Sequence, residues 1–236
     1  MIGCLLIHGF TGAPYEVEPL AEYFRSHTNW VVSSPTLPGH GEQDSLRGIT
    51  FQQWIDTAES HLQHLLEQCD TVYVIGFSMG GVLAGYLATK YQVNKLVLLS
   101  AALQYIHPIQ MVKDIGGMVT DLCRGQLFKN ELFIRYSRKV RSTPFVASLE
   151  FRKLVQHLKP SFESVFTPTM ILQGKLDGLV PYKTADAIYN LIGSEEKQVK
   201  VMENSKHLIC HGADRNEVID SVYRFLTSET KTNEDK

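Results

Sequence analysis

The chain has 236 residues, 44% of them hydrophobic, and a formal charge of −2. That length suits one domain around a single core, and so small a charge gives no electrostatic footing for nucleic acid. No run reaches the roughly 18 apolar residues of a membrane span, and the N-terminus lacks the basic region of a signal peptide, so a cytoplasmic protein without stable membrane insertion is expected.

Apolar runs alternate with helical patterns along the chain. Strands are expected near 3–7, 30–34, 71–76, 95–100, 168–173 and 198–203, and helices near 15–27, 50–68, 79–91, 184–192 and 214–227. This alternation predicts an α/β protein with a mostly parallel, doubly wound sheet. The first strand runs into His8-Gly9-Phe10-Thr11-Gly12, and Leu37-Pro-Gly-His-Gly41 follows the second. His8 is read as shaping its loop and His40 as part of a turn. His61 and His64, beside Gln63 and Glu67, should face solvent.

The third strand runs directly into Gly76-Phe-Ser-Met-Gly80, and a helical pattern follows at once. G-x-S-x-G between a strand and a helix is the setting of a nucleophile elbow, which makes Ser78 the candidate nucleophile. The serine must project from a very tight turn, and the flanking glycines remove side chains that would clash there.

A serine hydroxyl needs a base and an orienting acid, which on such an elbow follow in the order acid, then histidine. Asp177 lies in the loop after the fifth strand and His207 in Asn204-Ser-Lys-His207 after the sixth. Both would stand beyond the carboxyl ends of parallel strands, where ligands bind in open α/β sheets. His207 would take the Ser78 proton, with Asp177 holding the imidazole. The backbone N–H groups of Phe10 and Met79 would form the oxyanion hole, the second at a helix N-terminus that favours negative charge. Their side chains either line an acyl pocket or fill the core. His211 lies four residues after His207, but the glutamate of H-E-x-x-H is missing, so no metal is expected.

One segment breaks the alternation. Residues 102–160 mix aromatic and aliphatic side chains with Gly116-Gly117 and hold no clear strand. They are read as a small helical cap inserted into a core formed by 1–101 and 161–228, with 229–236 a polar tail. The insertion carries +6, leaving −8 on the remainder. Attraction to anionic substrate or lipid head groups would explain that excess, but a solvated cap surface explains it more simply. Cys4, Cys69, Cys123 and Cys210 have neither C-x-x-C nor metal spacing and are read as reduced thiols.

Taken in order, HGF-TG, LPGHG, GFSMGG, LDGLVP and SKH resemble the α/β-hydrolase family, and more narrowly the small carboxylesterases and monoacylglycerol lipases of bacilli. The resemblance runs from Gly3 to about Leu226 and implies ester hydrolysis by a Ser-Asp-His triad with no cofactor. Many relatives begin with two strands ahead of the HG strand, so a shorter sheet is expected here. The resulting expectation is a serine carboxylesterase for short- to medium-chain esters, including monoacylglycerols. A thioesterase or a carbon–carbon bond hydrolase on the same triad is the alternative, and a non-catalytic ligand-binding protein a remote one. The partner is a small-molecule ester. Oligomeric state is not legible.

Overall fold

The computed structural model describes residues 1–41, 45–104 and 145–229. Six strands form one sheet: β1 (Ile2–Ile7), β2 (Val31–Ser33), β3 (Thr71–Phe77), β4 (Lys95–Leu99), β5 (Thr169–Gly174) and β6 (Lys197–Met202). Their order is β2-β1-β3-β4-β5-β6, and every pairing is parallel. The described helices are α1 (Glu18–His27), α2 (Phe51–Gln68), α3 (Met79–Lys90), α4 (Phe145–Leu158), α5 (Lys183–Leu191) and α6 (Arg215–Thr227). None is long and apolar enough to cross a membrane.

The strands are apolar almost without interruption because both faces of the sheet are covered. Leu5, Ile7, Val74, Leu96, Leu98 and Ile171 point into one buried cluster, with Trp54 and Leu62 of α2 and Val82 and Leu83 of α3. Cys4, Leu6, Ile75, Phe77, Val97 and Leu172 point the other way, into a cluster with Phe24 of α1 and Val222 and Phe225 of α6. The two-residue side-chain period of a strand divides the layers. A buried lysine ties the sheet to the last helix. Lys95 Nζ donates to the carbonyls of Phe225 and Ser228, satisfying carbonyls at the end of α6 that have no intrahelical partner.

The chain crosses from β1 to the edge strand β2, then returns to place β3 on the other side of β1. This reversal of winding opens a crevice at the carboxyl ends of β1 and β3, the usual ligand position in such a sheet. The edge strand β2 has only three residues.

The expected strands and helices all form, with ends displaced by one or two residues, except that the first helical stretch divides into a short 3₁₀ turn at Pro14–Glu16 and α1. Of the expected insertion 102–160, residues 105–144 lie outside the described residues, as do Cys123 and the tail from 230. Its last part forms α4, which packs on α2 and α3. Phe151, Leu154 and Leu158 of α4 join the same buried cluster as the sheet. A carboxylate fastens this helix in place: Glu150 Oε2 accepts the Phe51 N–H at 3.1 Å, at the positive end of α2, and Lys153 donates to Oε1. That pairing, chiefly with Lys153, holds the Glu150 carboxyl below its ordinary pKa.

Candidate active site

Ser78 stands between β3 and α3 at φ +53° and ψ −113°, outside the conformations a serine prefers. Its surroundings leave no choice. A side chain at Gly76 would enter the Gly80 carbonyl, and one at Gly80 would enter the Ile7 carbonyl of the neighbouring strand. The Ser78 N–H donates to the Leu99 carbonyl at 2.9 Å, and its own carbonyl accepts from Gly81 and Ala102. The elbow is thus locked on both sides by backbone.

Three non-glycine residues have positive φ among those described: Thr11, Ser78 and Ser100. Each follows the carboxyl end of a strand, after β1, β3 and β4 respectively. Strain of this kind costs of order 1–3 kcal/mol per residue and persists only where packing over-determines it. Here all three stand beyond the carboxyl ends of the sheet strands.

The two C-terminal loops bring Asp177 and His207 to the same place. His207 Nδ1 lies 2.8 Å from Asp177 Oδ2, and Nε2 lies 3.0 Å from Ser78 Oγ. A carboxylate can only accept, so Nδ1 carries the proton and Nε2 is left to accept from the serine hydroxyl. All three residues are buried. Asp177 Oδ1 accepts the N–H groups of Leu179 and Val180, at 2.8 and 2.9 Å, and Gln173 Nε2 donates to Oδ2. Four donors fill the acceptor sites of one carboxylate.

The His207 loop has its own clamp. Asp214 accepts from the Asn204 N–H, from Asn204 Nδ2 and from the Ser205 hydroxyl, at 2.9, 3.1 and 3.0 Å. Asp214 is the N-cap of α6, yet its side chain makes no capping bond. The carboxylate turns back onto the loop instead.

On the β1 side, His8 is a brace. Nδ1–H donates to the Gly9 carbonyl at 2.8 Å, and Nε2 accepts the Leu37 N–H at 3.0 Å. The buried Glu16 carboxylate accepts the Gly9 N–H at 2.8 Å, and the Gly12 N–H donates to the Gly9 carbonyl. Phe10 stands between these anchored glycines, and its ring stacks on Phe151 of α4 with centroids 5.2 Å apart. The Phe10 and Met79 side chains both belong to the buried cluster. The Met79 N–H opens α3, among amides that no helical carbonyl can reach.

His40, His61, His64 and His211 lie outside this hydrogen-bonded chain. His40 Nδ1–H donates to the Pro38 carbonyl, and its ring packs edge-on against Trp54. His61 and His64 are exposed on α2. His211 Nε2–H donates to the Tyr15 carbonyl at 2.7 Å, away from the crevice. Cys4, Cys69 and Cys210 are free and buried, and burial pushes the Cys210 thiol up to about 12.

Sequence reading missed Gln173, Glu16 and the clamping role of Asp214. Gln173 had a signal, being the one amide in a strand buried along its whole length. The others had none, because nothing local marks which acidic residue a loop will fold around.

The Hydrolase_4 family, described as serine aminopeptidase S33, matches residues 3–214. A thermostable monoacylglycerol lipase from Bacillus sp. strain H-257 is 30% identical over 229 residues, covering 95% of this chain and 90% of that protein. A carboxylesterase from Bacillus subtilis strain 168 is 23% identical over 224 residues, covering 94% and 91%. Among solved structures, one from the LipS and LipT pair of metagenome-derived lipolytic enzymes superposes with a TM-score of 0.78 at 24% identity, covering 95% and 93%.

Proposed function

The chain belongs to the Hydrolase_4 family and has the α/β-hydrolase fold, and on that premise we propose that it hydrolyses carboxylic esters through Ser78, His207 and Asp177. Ser78 Oγ attacks the ester carbonyl carbon as His207 Nε2 takes its proton. Asp177 holds the imidazole in the tautomer that accepts this proton and stabilises the imidazolium that results. The carbonyl oxygen becomes an oxyanion, and the amides of Phe10 and Met79 are the donors assigned to it. Such preorganised donors are worth a few kcal/mol each in the transition state. The tetrahedral intermediate collapses, the alcohol leaves with the proton from His207, and the acyl group stays on Ser78. Water then gives its proton to His207 and attacks the acyl carbon, and the acid is released as Ser78 Oγ takes that proton back from His207.

The observation that carries this reading is the unbroken hydrogen-bonded chain from Asp177 through His207 to Ser78. The relatives favour esters over other acyl compounds. Two that match nearly the whole chain are named for monoacylglycerol and carboxylic ester hydrolysis. Short- to medium-chain esters are the substrate class assigned here, monoacylglycerols the physiological one, and residues 102–160 the cap that selects among them.

The test pairs activity with labelling. Wild-type protein should turn over C4–C8 monoesters and monoacylglycerols faster than trioleoylglycerol emulsions, and a fluorophosphonate should label it once. Its kcat/KM should fall in acid through one ionisation, since only a neutral imidazole can act as base. Ser78→Ala should lose labelling and turnover, by a factor of order 10⁶ in kcat. A clean Ser78→Ala preparation that keeps more than about one per cent of activity overturns the assignment.

A further inference from the structure

β5 reads Thr-Met-Ile-Leu-Gln-Gly and is buried from end to end. A primary amide in such a strand must find partners, since leaving it unpaired costs about 1–3 kcal/mol. The Gln173 amide finds two. Nε2 donates to Asp177 Oδ2 at 2.8 Å and to the Val180 carbonyl at 3.1 Å. Both are pure acceptors when the carboxyl is ionised, so the nitrogen end of the amide must face them. The oxygen that receives Gln173 also receives the proton on His207 Nδ1. Two donors therefore share one carboxylate oxygen, while the other oxygen is held by backbone.

We propose that Gln173 is a positioning residue, whose side-chain amide locks the Asp177 carboxylate in place and moderates its hold on the His207 imidazole. The proposal rests on the reading of Ser78, His207 and Asp177 as nucleophile, base and orienting acid. With the amide present, Oδ2 divides its electron density between two donors. Without it, the whole of that density falls to His207, and the imidazolium is better stabilised. The base then needs a higher pH to lose its proton. The carboxylate, meanwhile, is held along one edge only, and the imidazole strays from its line to Ser78. A side chain that merely filled space would leave the titration unmoved.

Gln173→Met removes the donor with little change in volume. The acid limb of kcat/KM should move upward by several tenths of a pH unit. At the pH optimum kcat should fall about threefold to tenfold with KM unchanged, well short of the ~100-fold that an ångström of misplacement can cost. In an Asp177→Ala background the same substitution should leave the limb unmoved and cost less than about twofold, because the group it acts through is gone. Gln173→Asn retains a buried amide but falls one methylene short, about 1.5 Å. It should reproduce the shifted limb even if Gln173→Met does not fold. Folded variants with the wild-type limb overturn the proposal, as does an equal loss with and without Asp177. Ser78→Ala keeps the two questions apart. An active Ser78→Ala overturns the parent reading, whereas an inert one beside unshifted Gln173 variants overturns this inference alone.

Discussion

The elbow at Ser78 and the loops carrying Asp177 and His207 reach the same crevice by different physics. At the elbow, position is set by exclusion: Gly76 and Gly80 admit neighbouring carbonyls where any side chain would collide, and the backbone is pressed to positive φ. At the loops, position is set by attraction. Asp177 collects four donors, and Asp214 collects three from the segment just before His207. Steric exclusion is all-or-none, because interiors are bistable rather than continuously deformable. A hydrogen-bonded clamp loosens by degrees, since each bond contributes only about 0.5–1.5 kcal/mol net. Substitutions of the elbow glycines should therefore act on folding and activity together, and those on the clamps on geometry alone.

The largest effect expected on the loop side is that of His207→Ala, which should approach Ser78→Ala, with kcat down by a factor of order 10⁶ because the members act as a unit. Asp177→Asn should be severe but milder, about 10⁴-fold, through loss of tautomer control. Burst kinetics with a p-nitrophenyl ester would measure both. Fold should survive in each, and a molten His207→Ala protein would break the contrast between loops and elbow.

Gly80→Ala tests the other side. Its new methyl group would enter the Ile7 carbonyl, so β1 and α3 must part. A destabilisation of about 3 kcal/mol or more is expected, read as a fall in the denaturation midpoint with an unchanged slope. A protein of wild-type midpoint with reduced kcat would show the elbow to be softer than its contacts indicate.

That contrast also decides what the sequence could disclose. Exclusion leaves a local signature: only glycine fits at 76 and 80, so G-x-S-x-G can be read from five consecutive letters, and the strand and helix on either side confirm its setting. Attraction leaves almost none. Asp177 and His207 could be placed because the order of acid and histidine along such chains is known. Their supports could not, since Asp214 reaches back ten residues and Glu16 seven, and any acid near a turn would look the same. The sheet was legible because both its faces are buried, which makes strands continuous apolar runs. Helix α4 was not, because its mixed polar and aromatic sequence reads equally as a lid and as a helix packed on α2 and α3.

Asp214→Ala should show the graded response of a clamp. Three donors lose their acceptor, yet the Leu176 N–H still holds the Ser205 carbonyl at 3.0 Å. The loop should widen its motion without leaving. A fall in kcat of about threefold to tenfold is expected, far below the ~100-fold cost of an ångström of misplacement, with a near-native melting curve. A loss as great as that of His207→Ala would mean that the loop has no support besides Asp214.

The smallest effect should come from His211→Ala, although His211 sits one short turn from His207. The chain between them forms a single 3₁₀ turn, Ile209–His211, closed by the Ile209 N–H to the His207 carbonyl and the His211 N–H to the Leu208 carbonyl. Those bonds are backbone and survive the substitution. The His211 ring points away, donating to the Tyr15 carbonyl, and an exposed bond of this kind is worth about 1 kcal/mol or less, since water can replace it. Activity should stay within about twofold of wild type, far inside the ~10⁴-fold or greater losses expected at the three site residues. The residue should still leave a trace in acid. The residue is exposed overall, but its ring lies against Tyr15, and desolvation there holds the imidazole below the ordinary histidine range, against the pull of the Tyr15 carbonyl. The folded protein thus resists protonation there more than the unfolded chain does, and the stability this group contributes is full above the unfolded pKa and lost as pH falls through the folded one. Removing His211 should therefore flatten the decline of the melting temperature in acid while leaving kcat near wild type. An inactive His211→Ala beside an active His207→Ala would reverse the two roles and with them the register of the loop.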